Sequence, residues 1–176
     1  RTPMNGVLGM TELLQATDLS QQQQQFVHVI HSSGSALLNI INDILDVSKI
    51  EAGRLEIEYE PVLLSEVFDN ILTVMEQTAN EKKLQLSYFI DDTIDFAIFS
   101  DPLRLTQIVT NLVSNSIKFT AKGTINIEAK LKSKNSLQII VSDTGIGIPK
   151  DKLKTIFDQY EQVRTKKKKK YKGTGL

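Results

Sequence analysis

The chain has 176 residues, of which 40% are hydrophobic and 24% charged, and its 21 basic residues balance its 21 acidic ones. This is the composition of a globular protein, and zero net charge gives no overall attraction to nucleic acid or to an anionic membrane surface. The chain has no cysteine, which excludes disulfides and thiolate metal sites. No apolar run approaches the roughly 18 residues that a membrane-spanning helix needs. We therefore expect neither a nucleic-acid partner nor direct membrane contact.

Residues 1–53 predict two helices joined by a short loop. TDLSQQQQ interrupts the helical pattern, and Ser20 with Gln23 forms a predicted capping box at the start of a long second helix. The apolar face is wide, as in a bundle helix with more than one neighbour. A second copy of the chain, completing a four-helix dimer, is the simplest way to bury it. The stripes that define the face are Val7, Met10 and Leu14 in the first helix, and Phe26, Ile30, Leu37, Ile41, Ile44 and Ser48 beside Val27, Leu38 and Leu45 in the second.

A change of pattern in KIEAGRLEIEYEP marks a domain boundary. Helical spacing gives way there to the alternation of Leu55, Ile57 and Tyr59. We therefore assign residues 1–57 to the helical hairpin and residues 58–176 to a second domain.

The second domain mixes helices and strands, which predicts an α+β protein: the hairpin, then an α/β sandwich with helices on one face of a mixed sheet. The first helix of this domain is expected to turn Val67, Ile71, Val74 and Met75 inward. The predicted elements are a helix from Ser65 to about Lys82, strands Leu84–Ile90 and Phe96–Ser100, a helix ending near Phe119, strands Thr124–Leu131 and Leu137–Ser142, and a short helix from Pro149 to about Phe157.

The helix that precedes the last two strands has clear start signals. Asp101 suits its N-cap and Pro102 its first helical position. Leu105, Ile108 and Leu112 form a stripe that we expect to pack on the sheet.

Three polar residues share a separate face of this helix: Asn111, Asn115 and Lys118. Such a triplet alone is usually only a solvated face. The more specific hypothesis is a metal–phosphate site, because Mg²⁺ prefers hard oxygen ligands and needs few from the protein when phosphates and waters supply the rest. The lysine ammonium would offset phosphate charge.

The segment DTGIGIP supplies a complementary feature. Asp143 follows an apolar strand and can accept a hydrogen bond from an exocyclic amine such as that of adenine. Gly145 and Gly147 let the backbone lie against a flat ring, or take dihedral angles that other residues avoid. By itself a D-x-G-x-G sequence is usually just a turn.

The C-terminal KKKKKYKGTGL adds a second glycine segment. Gly173 and Gly175 flank Thr174, and glycine-rich backbone presents N–H groups to phosphate oxygens. The lysine run before them is typical of a solvated loop, which near a triphosphate could also close as a lid.

In order, the chain contains N-x-x-x-N-x-x-K-F-T, D-x-G-x-G, an aromatic pair in IFDQYEQ, and G-T-G-L. This succession resembles the ATP-binding domain of sensor histidine kinases, part of the GHKL (Bergerat-fold) family that includes gyrase-, MutL- and heat-shock-chaperone-type ATPases. RTPMNGVLGM resembles the stretch just after the phospho-accepting histidine of hybrid kinases, and KIEAGRLE resembles their hairpin exit. The resemblance covers essentially the whole chain. It is not a P-loop, since no G-x-x-x-x-G-K-[ST] occurs.

The resemblance implies ATP and Mg²⁺ as cofactors, with Asn115 as the Mg²⁺ ligand and Asp143 binding the adenine amine. It also implies transfer of the γ-phosphoryl group to a histidine and then to a receiver-domain aspartate, and homodimerisation through the hairpin. The parent protein would be a bacterial inner-membrane protein with this part in the cytoplasm. The other implied nucleotide-contacting residues are Asn111, Lys118, Gly145, Gly147, Phe157, Tyr160, Gly173, Thr174 and Gly175.

One departure concerns the acceptor histidine, which the family places three positions before R-T-P. The chain starts at Arg1, so we expect a fragment that binds ATP without phosphorylating itself. His28 and His31 lie in the second helix, where we interpret them as packing or surface residues. Thr2 matches a position that often assists dephosphorylation of the receiver.

Three other functions would each account for part of this pattern. A non-catalytic kinase-like module that regulates a partner kinase through the hairpin would tolerate a degraded nucleotide site, whereas the motifs present here are intact. A different ATPase of the same superfamily would lack the RTPMNG hairpin. A purely structural four-helix dimer would leave the glycine motifs unexplained.

Overall fold

The computed structural model describes residues 2–133 and 136–156. These residues form two compact units, which divide between Glu56 and Ile57. The division falls within the segment where helical spacing gives way to alternation. Among the described helices, none is both long and apolar enough to cross a bilayer.

The first unit is the predicted helical hairpin, formed by α1 (Thr2–Gln15) and α2 (Gln21–Glu51). The predicted capping box is confirmed. The Ser20 hydroxyl accepts a hydrogen bond from the Gln23 N–H at 3.4 Å, and the Gln23 side-chain oxygen accepts one from the Ser20 N–H at 2.9 Å. Two backbone donors at the start of α2 are thereby satisfied.

The two helices of the hairpin meet along a narrow seam. Gly34 of α2 is buried under α1, where a Cβ would lie 3.0 Å from Cδ2 of Leu8. By contrast, the main predicted stripe of α2 is largely uncovered in a single chain. Its members Phe26, Ile30, Leu37 and Ile44 are between 46% and 57% exposed. Among the described residues, the hairpin therefore presents a wide exposed apolar face.

The second unit is an α/β domain with a mixed sheet, as predicted. Its elements are β1 (Glu60–Val62), α3 (Leu64–Glu81), β2 (Leu84–Ile90), β3 (Ile98–Ser100), α4 (Pro102–Phe119), β4 (Gly123–Ser133), β5 (Ser136–Asp143) and a 3₁₀ turn at Lys150–Lys152. Strands β2, β4 and β5 form a three-stranded sheet in the order β2-β4-β5, in which β2 and β4 are parallel and β4 and β5 antiparallel. Strands β1 and β3 form a separate antiparallel pair.

The core lies between the sheet and the two helices α3 and α4. Strand β4 alternates strictly, with Ile125, Ile127 and Ala129 buried and the intervening residues on the other face. The largest side chains that are fully buried are Phe68, Ile71, Val109, Val113, Thr120, Ile125 and Ile127. This core fixes α4 along the sheet and so positions the polar face of that helix.

The expectation for the packing stripe of α4 was wrong. Ile108 and Leu112 are exposed, and the residues that pack on the sheet are instead Val109, Val113 and Ile117. The helix has two adjacent apolar stripes that both fit helical spacing, and the stripe that packs against the sheet is the one with two short valine side chains. Leu105 packs at the edge of the core, as expected.

Three smaller expectations also need correction. Val74 is 70% exposed rather than inward, because it lies at the margin of a stripe centred on Phe68 and Ile71. The strand predicted to begin at Phe96 begins instead at Ile98. The helix predicted from Pro149 is a short 3₁₀ turn followed by turns up to Ile156.

Candidate functional site

The start of α4 is fixed by the side chain of Asp101, as predicted. Its Oδ1 accepts a hydrogen bond from the Arg104 N–H at 3.0 Å, and its Oδ2 accepts one from the Glu58 N–H at 3.3 Å. The Arg104 N–H, and to a lesser extent the Glu58 N–H, hold the pKa of this carboxyl below its usual value by stabilising its charged form. One carboxylate thus caps the helix and ties it to the segment before β1.

The other end of α4 is fixed by Lys82, which follows α3. Its ammonium donates to the carbonyl oxygens of Ile117 at 2.6 Å and of Lys118 at 3.4 Å. A cation is favoured at this position because the last carbonyls of a helix carry partial negative charge. With both ends held, α4 is a rigid support for the residues on its outer face.

The predicted polar face of α4 is open to ligands. Asn111 and Asn115 are exposed, and the ammonium of Lys118 lies 5.1 Å from the ring centroid of Phe119. Within the part of the chain that the structure describes, neither asparagine carboxamide makes a hydrogen bond. Their oxygens and N–H groups remain available to a bound molecule.

Asp143 ends β5 beside α4, and both of its carboxylate oxygens are engaged. Oδ2 accepts a hydrogen bond from the Ser116 hydroxyl at 3.2 Å, and Oδ1 accepts one from the Gly145 N–H at 2.8 Å. Ser116 follows Asn115 directly, so the two sequence motifs meet at one corner of the domain. Sequence reasoning missed Ser116. The sequence feature that could have predicted it is a serine within the buried stripe of α4, because a buried polar side chain needs a hydrogen-bond partner.

The two glycines of DTGIGIP are needed for different reasons. At Gly145 a Cβ would lie 2.7 Å from the Phe119 carbonyl oxygen and 2.8 Å from both Asp143 Oδ1 and Thr120 Oγ1. Gly147 has open space around it but a φ of +66°. The first glycine permits close approach to the end of α4, and the second permits a left-handed turn.

The structure therefore brings together five of the predicted residues: Asn111, Asn115 and Lys118 on α4, and Asp143 and Gly145 against its end. Gly147 continues the same segment. Phe157, Tyr160, Gly173, Thr174 and Gly175 lie outside the described residues. Thr2 is exposed at the first residue of α1.

The two histidines belong to the hairpin unit. His28 is exposed, and Nε2 of His31 lies 3.6 Å from the carboxylate of Glu12 in α1. We therefore still interpret both histidines as surface or packing residues.

A magnesium ion fits this donor set only in company with phosphates. Within the described residues no group of three or more histidine, aspartate or glutamate side chains is placed to hold a metal. Mg²⁺ does not require such a cage, because one amide oxygen suffices when phosphate oxygens and waters complete the octahedron. The exposed carboxamide of Asn115 meets that requirement.

Comparison with known proteins identifies both parts of the chain. Residues 1–53 match the His Kinase A (phospho-acceptor) domain. Residues 100–176 match the histidine kinase-, DNA gyrase B- and HSP90-like ATPase.

Individual relatives agree. The sensor histidine kinase GacS of Pseudomonas protegens is 41% identical over all of this chain, which covers 20% of that protein. Hybrid signal transduction histidine kinase B of Dictyostelium discoideum is also 41% identical over all of the chain, which covers 9% of it. The chain thus spans a fifth or less of these two relatives.

A solved structure shows the same arrangement of elements. The crystal structure of full-length ShkA in complex with AMPPNP has a TM-score of 0.77 and 32% identity, and it covers 92% of this chain and 35% of that one. The helical hairpin followed by an α/β domain with a mixed sheet is therefore shared with a protein solved with an ATP analogue.

Proposed function

The chain belongs to the histidine kinases, and we propose that it is the catalytic core of a sensor histidine kinase of the hybrid type. It binds Mg-ATP on α4 and the segment after β5, and transfers the γ-phosphoryl group to a histidine that precedes Arg1. A receiver-domain aspartate then takes the phosphoryl group. The observation that carries the proposal is the Ser116–Asp143 hydrogen bond at 3.2 Å, which joins the asparagine motif to the glycine motif.

The adenine end of the site is formed by Asp143. Each oxygen of an ionised carboxylate has two lone pairs, so one remains on each after the bonds from Ser116 and Gly145. An exocyclic amine is a donor of the right kind for these lone pairs. Gly145 has no side chain, so the backbone after Asp143 lies directly against the end of α4, beside the carboxylate.

The phosphate end is formed by the outer face of α4. Asn111 and Asn115 lie one helical turn apart and present amide groups, and Lys118 adds a positive charge to the same helix. When bound on Asn115, Mg²⁺ neutralises phosphate charge. Phosphoryl transfer depends mainly on positioning and charge stabilisation, so a rigid helix with these groups supplies what the protein must contribute. The acidic neighbour that the family places beside its acceptor histidine is the general base.

The proposed partners are a second copy of the chain and a receiver domain. The second copy covers the apolar face of the hairpin that a single chain leaves exposed. The receiver approaches the start of α1, where Thr2 is exposed and able to orient a water for dephosphorylation. The proposed location is the cytoplasmic portion of a bacterial inner-membrane protein.

The test is labelling with γ-labelled ATP and Mg²⁺, in a version of the chain extended by its native flanking sequence on both sides. We expect acid-labile, base-stable label that is lost when the upstream histidine is replaced. Label is also lost in Asn115→Asp, which places a negative charge beside the phosphates. Tight ATP binding without label would contradict the kinase proposal and favour a regulatory module. The absence of both binding and label would contradict the site itself.

A further inference from the structure

Ser116 is a buried polar residue on the packed side of α4, with only 6% of its surface exposed. A serine hydroxyl within a helix commonly turns back to the carbonyl one turn earlier. Here its single hydrogen is donated to Oδ2 of Asp143, which lies on a strand 27 residues further along the chain. The hydroxyl therefore links two elements rather than serving the helix.

This hydrogen bond determines the orientation of the Asp143 carboxylate. The terminal torsion of an aspartate side chain is broad, so a single hydrogen bond leaves the carboxylate plane poorly defined. The Gly145 N–H holds Oδ1 at 2.8 Å, and the Ser116 hydroxyl holds Oδ2 at 3.2 Å. Two donors from two elements fix the plane, and with it the direction of the lone pairs that remain.

We propose that Ser116 is a positioning residue that gives the site its preference for a purine with an exocyclic amine. The inference rests on the function proposed above, in which Asp143 receives that amine. Without the hydroxyl, the carboxylate is held at one oxygen only. Removing the hydroxyl therefore weakens the contact between Asp143 and the amine, and leaves the contacts that any purine triphosphate makes with α4 unchanged.

The same corner provides a matched control in Thr120. Its hydroxyl is buried beside Gly145 and, among the described residues, has no hydrogen-bond partner. Thr120→Val removes a hydroxyl of similar burial without touching the bonds to Asp143. Replacing a buried hydroxyl that has no partner by a group of the same shape is close to neutral.

The experiment is calorimetric titration of this chain and its variants with two Mg²⁺-complexed nucleotides. One is ATP, and the other is purine riboside triphosphate, which is ATP without the exocyclic amine. We expect Ser116→Ala to weaken ATP binding about five- to tenfold, the usual effect of losing one hydrogen bond. Binding of purine riboside triphosphate should change by less than about twofold, and Thr120→Val should leave the preference intact.

Ser116→Ala is expected to keep its fold, because alanine is the better helix former. In an Asp143→Ala background, Ser116→Ala should no longer change the preference, since the side chain that accepts its hydrogen bond is gone. If Ser116→Ala weakened the binding of both nucleotides equally, the inference would be overturned, because that result would indicate distortion of α4. Unchanged binding of both nucleotides would also overturn it. If the unchanged chain binds neither nucleotide, the proposed function fails with it. If ATP preference requires Asp143 but not Ser116, only the present inference fails.

Discussion

At the scale of single residues, the site depends on close approach more than on special conformations. A Cβ at Gly145 would lie within 2.8 Å of three oxygen atoms, those of Phe119 and Thr120 at the end of α4 and Oδ1 of Asp143. Gly147, two positions later, needs its glycine only for a positive φ. The two positions read alike in sequence, but the physical constraints on them are different.

Gly145→Ala should therefore weaken ATP binding more than Gly147→Ala. A methyl group at 145 meets a backbone carbonyl that cannot move without shifting the end of α4, a cost of about 1–3 kcal/mol. At 147 the cost is that of a left-handed alanine, about 1–2 kcal/mol. Urea unfolding measures both, and ATP titration should show a larger loss of affinity for Gly145→Ala. Equal effects of the two substitutions would contradict the assigned role of Gly145.

At the scale of elements, α4 is the part on which the site depends, and it is fixed at both ends. The Asp101 cap could be predicted because the residues that make it adjoin each other in sequence. The stripe that packs on the sheet could not, because Val109 and Ile108 both fit helical spacing and the choice depends on where the sheet lies. The Ser116–Asp143 bond was missed for a similar reason, since it joins residues that only the folded sheet brings together.

Removing the cap in Asp101→Ala should destabilise the α/β domain in a pH-dependent way. The native pKa of Asp101 is lowered, chiefly by the Arg104 N–H, so its contribution is present above the unfolded pKa of about 3.9. That contribution is lost as pH falls through the lower native pKa. The difference in Tm between the wild-type chain and the Asp101→Ala variant should be widest near neutral pH and should narrow below about pH 4.

Thermal unfolding followed by circular dichroism from pH 3 to pH 7 gives this difference, with Asp92→Ala as the control. Asp92 is exposed in the turn after β2, away from α4. A difference in Tm that is constant across this range for Asp101→Ala would show that the charged form of Asp101 does not stabilise α4.

At the scale of the whole molecule, the two units expose different kinds of surface. The α/β domain encloses a continuous core, whereas the hairpin leaves most of the predicted stripe of α2 uncovered. An apolar face of this extent on a two-helix unit calls for a partner. The order of the motifs predicted the families of both units, whereas the cover of the hairpin face by a second copy remains a proposal.

Leu37→Glu should convert a dimer into a monomer without changing nucleotide affinity. A carboxylate at the centre of the apolar face would have to be buried unpaired in a four-helix bundle, which is costly. Light scattering after gel filtration should show the mass falling to the 19.7 kDa of one chain. Asn39→Glu, an exposed position of α2 outside the predicted stripes, is the control and should remain dimeric. A wild-type chain that is itself monomeric would contradict the prediction.

The most direct test of the central claim is a titration of Mg-ATP into the wild-type chain and into Asp143→Asn. We expect saturable binding at one site per chain, weakened about tenfold or more in the variant, because the amide turns a donor toward the adenine amine. Thermal unfolding of the unliganded proteins should show that the variant remains folded. ATP binding of equal strength in both proteins would contradict the assignment of Asp143 and, with it, the site described here.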